Sequence, residues 1–225
     1  IKVTGNYHDL GAFASDVAKM PRIVLLTDLK LDPPKDGVLS MEAVDAGKPV
    51  SAVRDDELPG CLDAMRFFAG AGRTLSAQAG GDYLSGITSV MRREPLGVVA
   101  AITPWNYPLL QAVAKIFPAL AVGNTVVIKP AETTPYSTAL LVQLAGAILP
   151  PGVLNLVFGA GAVVGDALSH HPDVDVVSFT GSIDTGRKVG MAAADGVKRA
   201  VMELGGNSPV LVFADAELHS ALDVI

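Results

Sequence analysis

The sequence predicts an α/β domain with a doubly wound parallel sheet, and three observations carry that prediction. From residue 95 onward, short runs rich in Val, Ile and Ala alternate with longer stretches of helical character. The runs are apolar almost throughout instead of alternating with polar residues, the pattern of strands covered on both faces. Polar residues and glycines gather just after these runs, at the carboxyl ends where ligands of such sheets bind.

Strands are expected at 97–103, 125–129, 153–158, 174–180, 200–204 and 209–213, and helices at 108–122, 136–149, 162–169 and 182–194. Gly123 and Gly196 stand where helix C-caps belong. Upstream, 58–71 reads as a helix with Leu62, Met65, Arg66 and Ala69 along one side, and 83–94 alternates like an exposed strand. The first 43 residues have another texture. A strand-like run from Lys2 to Thr4 is followed by Leu10, Phe13, Ala14 and Val17 at helical spacing. Pro21 ends that helix, 23–31 reads as a strand broken by Pro33 and Pro34, and 38–43 follows the Asp36-Gly37 turn as another strand. The order is β-α-β-β, a ferredoxin-like half, so two units are expected, 1–43 and 44–225.

With 225 residues, half of them hydrophobic, a sizeable core is expected. A net charge of −6 with no basic block argues against a nucleic-acid partner. No apolar stretch is long enough to span a membrane. Cys61 is the single cysteine, which excludes an internal disulfide and a cysteine zinc site and suits a reducing compartment. With no signal peptide visible, the expected location is cytoplasmic. The chain opens on Ile1 and stops shortly after Asp215 within what reads as a new helix, so it reads as a piece of a longer frame.

Four loops after strands carry unusual polar residues. In Thr103-Pro104-Trp105-Asn106-Tyr107-Pro108, the Asn106 amide could donate to a developing oxyanion, or simply cap the next helix. In Lys129-Pro130-Ala131-Glu132 a rigid platform carries a lysine and a carboxylate that could take both hydroxyls of a ribose, or pair with each other at the surface. Phe179-Thr180-Gly181-Ser182-Ile183-Asp184-Thr185-Gly186 runs from strand to helix, where free N–H groups could meet a pyrophosphate; a plain strand–helix turn is the alternative. In Glu203-Leu204-Gly205-Gly206-Asn207 a glutamate ends an apolar strand. Partial desolvation would raise its pKa towards that of a general base, and a satisfied structural carboxylate is the other reading.

Taken together, W-N-Y-P, K-P-A-E, F-T-G-S-x-x-x-G and E-L-G-G-N, in this order and spacing, resemble the aldehyde dehydrogenase superfamily from about Asp45 to Ile225. Asp45-Ala46-Gly47-Lys48-Pro49 and Arg92-Arg93-Glu94-Pro95-Leu96-Gly97 agree with that. The resemblance implies a dinucleotide-binding domain, NAD as cofactor and an aldehyde as substrate. It makes Asn106 the oxyanion donor and Glu203 the base that activates water or a thiol. Lys129 and Glu132 become ribose contacts, and Gly181, Ser182 and Thr185 face the pyrophosphate. Thr103, Pro104, Trp105, Leu204 and Gly205 complete the cofactor's surroundings. It also implies a homo-oligomer, with 83–94 in an oligomerisation arm. Asp56-Glu57-Leu58-Pro59 and Gly81-Asp82-Tyr83-Leu84 look most like the aminobutyraldehyde and betaine-aldehyde branch.

Two features depart from the family. Its nucleophilic cysteine would fall past Ile225, and Cys61, on an early helix, reads as a small buried hydrophobe, so the chain as given is expected to be inactive. The family also leads into its D-x-G-K-P motif with a long helix, whereas Pro33, Pro34 and Asp36-Gly37 interrupt any helix here. The run from Val3 to Phe13, with Met20-Pro21-Arg22-Ile23-Val24, resembles instead the periplasmic domain of the type IV pilus alignment protein PilO. A structural pilus-assembly component, or a nucleotide-binding module without chemistry, are therefore the alternatives to an enzyme fragment.

Overall fold

The computed structural model describes residues 42–76 and 80–217, together with His219 and Leu222. Of the β-α-β-β segment expected over 1–43, all but Glu42 and Ala43 lies outside the described residues. Those two are helical instead of extended, within a short helix over 42–46. Both are buried, and Ala43 packs with Val53 and Leu58 of the following helices. The separation expected at residue 44 therefore does not hold for these two side chains, whose burial is completed by the domain that follows.

Beyond Gly47 (φ +66°), α1 (Val50–Ala52) widens through one π-helical turn, Val53–Glu57, into α2 (Leu58–Ala71). The exposed strand expected over 83–94 is a short antiparallel hairpin, β1 (Gly81–Leu84) and β2 (Ile87–Ser89). It reverses at Gly86, whose φ of +76° suits glycine.

The remainder alternates strand and helix: β3 (Val98–Ile102), α3 (Pro108–Ala121), β4 (Thr125–Lys129), α4 (Tyr136–Gly146), β5 (Leu154–Leu156), a π-helical turn (Gly161–Gly165) leading into α5 (Asp166–His170), β6 (Val176–Thr180), α6 (Ile183–Asp195) and β7 (Arg199–Glu203). The strands form one parallel sheet in the order β5-β4-β3-β6-β7. The chain winds outward from β3 to β5, then returns to β3's other side, so the topological switch lies between β3 and β6. The expected doubly wound α/β class is the observed one, with five strands where six were expected. Residues 209–213 form no strand. Among the described residues nothing pairs with the outer edge of β7, and Val210, Leu211 and Phe213 stay exposed. Without a ladder to take its backbone groups the run remains irregular.

Alternate strand residues face opposite layers, as the two-residue repeat of a strand requires. Val99, Ala101, Val126, Ile128 and Val176 pack with Ile116, Phe117 and Leu120 of α3 and with Leu141 of α4. Val98, Ala100, Ile102, Val127, Val177 and Phe179 face Val164, Leu168 and Val189. Ile116, Phe117 and Leu120 are almost wholly buried, each contributing about 2–3 kcal/mol of apolar transfer free energy. Polar staples set the register at the amino ends of the strands. Asn124 Oδ1 accepts from the N–H groups of Leu96 and Gly97 (2.8 and 3.0 Å), and its amide donates to the Ala119 carbonyl (3.1 Å). Asp175 Oδ2 accepts from Val98 N–H at 2.8 Å. Gly97 (φ +128°) passes so close to that carboxylate that a Cβ would lie 2.1 Å from it. Among the described residues no helix is long and apolar enough to cross a membrane.

Candidate functional site

Parallel register places Ile102 beside both Lys129 and Phe179, and Thr180 beside Glu203, so the four polar loops leave the sheet along one edge. Two hydrogen bonds tie them in pairs. Thr103 N–H donates to the Lys129 carbonyl and Gly181 N–H to the Glu203 carbonyl, each at 3.1 Å.

In the first loop, Thr103 is buried with its hydroxyl unpaired, Pro104 is half-buried, and Trp105 and Asn106 are exposed. Asn106 does not cap α3. The N-cap residue is Tyr107, which makes no side-chain cap bond, and Leu109 N–H in the first turn is taken by Glu42 Oε1 at 3.1 Å. The capping alternative for Asn106 is thus filled from elsewhere, and Asn106 itself is exposed.

The second loop differs from expectation at Lys129. This side chain is buried, and its ammonium donates back to the Pro130 carbonyl at 2.7 Å while lying 3.5 Å from Glu132 Oε2. Burial pushes the Lys129 ammonium down and Glu132 opposes that shift. Lys129 therefore anchors the loop, and Glu132 alone is presented to solvent, about half exposed. Backbone N–H groups, its own first and Gly161's after it, hold the Glu132 carboxyl below the ordinary range with help from Lys129. The Gly161 N–H donates to its Oε1 at 3.4 Å.

In the third loop, Ser182 is the N-cap of α6. Its Oγ accepts from Thr185 N–H at 3.3 Å and lies 3.0 Å from Thr185 Oγ1. Gly181 is required by the fold itself, since a Cβ there would sit 2.6 Å from the Phe179 ring. Gly186 lets the first turn of α6 close on Leu204, whose Cδ2 would stand 2.5 Å from an added Cβ, while Gly205 lies in open space.

Glu203 departs from expectation most. It ends the edge strand and is exposed. By register Glu203 and Val201 share a face with Thr180 and Ser178, the side on which α3 lies. That helix packs over the middle of the sheet, and Arg199, Val201 and Glu203 remain uncovered.

Two site neighbours on α3 escaped the sequence reading. Gln111 Oε1 accepts from the Thr180 hydroxyl at 3.0 Å, and one turn further Lys115 Nζ donates to Ser178 Oγ at 3.2 Å. The i, i+4 spacing of the helix thus meets alternate residues of β6. Lys115 is buried, and burial pushes its ammonium down to about 8, with Glu203 opposing. The available signal was that Lys115 is the one charged residue of α3, set among apolar neighbours. Cys61 is buried on α2 as expected. Burial first, then Glu42 and Glu57, push its thiol up to about 12. Among the described residues no three His, Cys, Asp or Glu side chains are grouped to hold a metal ion.

The chain was compared with known proteins. The profile of the aldehyde dehydrogenase family matches residues 15–225, crossing the boundary expected at residue 44. Betaine aldehyde dehydrogenase of Bacillus subtilis is 46% identical over 188 residues, 81% of this chain and 37% of the relative. Aldehyde dehydrogenase 1A1 of Equus caballus is 42% identical over 219 residues, 93% of this chain and 40% of the relative. Among solved structures, the NAD+ complex of an aldehyde dehydrogenase from Bacillus cereus superposes with a TM-score of 0.82 at 34% identity, covering 98% of this chain and 44% of that one. The chain spans about two fifths of the length of the curated relatives it matches. With the fold, the order of the four loops and these matches agreeing, the chain belongs to the aldehyde dehydrogenase family.

Proposed function

We propose that this chain is the dinucleotide-binding part of an NAD+-dependent aldehyde dehydrogenase acting on an aminoaldehyde such as 4-aminobutyraldehyde. The observation that carries the reading is the gathering of all four loops on the carboxyl edge of the sheet, across its topological switch. The donor set fits the cofactor. Glu132 offers an exposed carboxylate for ribose hydroxyls, and the N-terminus of the 13-residue α6 offers N–H groups and a favourable dipole for a pyrophosphate. Thr103, Pro104, Trp105, Lys129, Gly181, Ser182, Thr185, Leu204 and Gly205 would line or brace that site. The name of the Bacillus subtilis relative supports the aminoaldehyde class.

The bound dinucleotide would supply a hydride acceptor. In the full-length enzyme a thiolate adds to the aldehyde carbon, and Asn106 donates its amide to the oxyanion formed. Glu203 would take a proton from the water that hydrolyses the acyl-enzyme, a step that releases the acid and returns the thiol. Cys61 is buried on α2 with its thiol pushed up to about 12, so it is not given the role of attacking thiolate. The exposed Tyr83, Leu84 and Ile87 of the hairpin support an oligomer in the full-length protein. Calorimetric titration of the chain with NAD+ tests the proposal. Weak saturable binding is expected, lowered about tenfold or more by Glu132→Ala as a charged hydrogen-bond acceptor is lost. No binding up to millimolar NAD+, or equal binding by Glu132→Ala, would count against it.

A further inference from the structure

Residues 42–57 meet the candidate site at three points. Glu42 Oε1 takes the Leu109 N–H at the first turn of α3, 3.1 Å away. Asp45 Oδ2 takes the Tyr136 N–H at the first turn of α4, also at 3.1 Å. Lys48 Nζ stands 3.5 Å from the centroid of the Tyr107 ring and is held from behind by an ion pair to Glu57 Oε1. Glu42 and Glu57 are both buried.

The first turns of α3 and α4 are where the Thr103–Pro108 and Lys129–Pro135 segments enter their helices. Neither helix has a side-chain cap from its own N-cap residue, Tyr107 or Pro135. Both first turns are therefore served from residues 42–46, and the ring next to Asn106 is held by the half-buried Lys48 ammonium. Fixing Tyr107 and Leu109 restricts the backbone at Asn106, and fixing Tyr136 steadies the turn that carries Glu132.

We propose that Glu42, Asp45 and Lys48 are positioning residues, a clamp that sets where the Asn106 and Glu132 loops stand on the sheet edge. The inference rests on the functional reading of those loops, since only then does their placement matter. A direct contact with cofactor or aldehyde is no part of it.

Trp105, the single tryptophan of the chain, stands two residues before Tyr107 in the clamped loop. Labelling with 15N-tryptophan therefore gives one backbone amide signal, assigned without ambiguity. In the unliganded chain its order parameter should be near about 0.85 and should fall below about 0.6 in Lys48→Met, with far-UV dichroism unchanged. Lys48→Arg, which keeps a cation over the ring, should restore it. Where Lys48→Met fails to fold, Glu57→Gln decides. It loosens the hold on Lys48, whose ammonium is still partly open to solvent, and its Trp105 order parameter should also fall. A rigid Trp105 amide in folded Lys48→Met or Glu57→Gln would overturn the proposal, as would a loss in Lys48→Arg equal to that in Lys48→Met. No nucleotide is present, so failure of the cofactor reading would appear in the calorimetry and leave this measurement unaffected.

Discussion

Replacing Lys115 by methionine should stabilise the chain at neutral pH and lose that advantage as the solution becomes alkaline. The residue is 6% exposed and its ammonium donates to Ser178 Oγ. Burial, opposed by Glu203, brings the ammonium from the ordinary 10.5 down to about 8. At about 1.4 kcal/mol per pH unit, that difference corresponds to about 3 kcal/mol. The folded pKa lies below the unfolded one, so between them the unfolded chain binds more protons and wild-type stability rises with pH. Below about 8 both states are charged and the full cost is present; above 10.5 it has vanished. Methionine matches the stem in length and adapts its shape, but leaves Ser178 Oγ without its donor at a cost of about 1 kcal/mol. The net gain near pH 7 should be about 2 kcal/mol, or roughly 4–8 °C in Tm for a domain of this size. Thermal unfolding of both proteins at about pH 7 and about pH 10 checks it, and the gap should close towards the alkaline end. A Met variant less stable at pH 7, or a gap that does not change with pH, would refute the reasoning.

Three further outcomes are expected. NAD+ should bind more tightly than NADP+ by about tenfold or more, because the exposed Glu132 carboxylate would face a 2′-phosphate; Glu132→Gln should narrow that gap in calorimetry. Val197 is 92% exposed yet held at φ +53°, a conformation β-branched residues resist. Val197→Gly should raise stability by about 1 kcal/mol in urea unfolding, and an unchanged or lower midpoint would contradict this. Cys61 should react with a thiol reagent only as the chain unfolds, and Cys61→Ala should leave any NADH formation from 4-aminobutyraldehyde unaltered. Turnover that disappears with Cys61→Ala would make it the nucleophile after all.

The sequence by itself determined the class of fold, the helix–strand order and the loops that matter. Apolar runs such as Val98–Ile102 and Thr125–Lys129 report burial on two faces directly, and strand and helix periods are local properties of the chain. The family was legible for a related reason, since the residues within each motif stand next to one another in sequence. What side chains do across the fold was not legible. Only the packed sheet put Lys115 against Ser178 and the exposed Glu203 at an uncovered edge, because burial depends on which helix lies over which strand. The tertiary structure likewise turned Lys129 inward, left 209–213 without a strand partner, and drew Glu42 into the domain to hold the start of α3. The Glu42 and Lys115 hydrogen bonds join residues more than 60 positions apart, and such a contact leaves no periodic trace in the sequence.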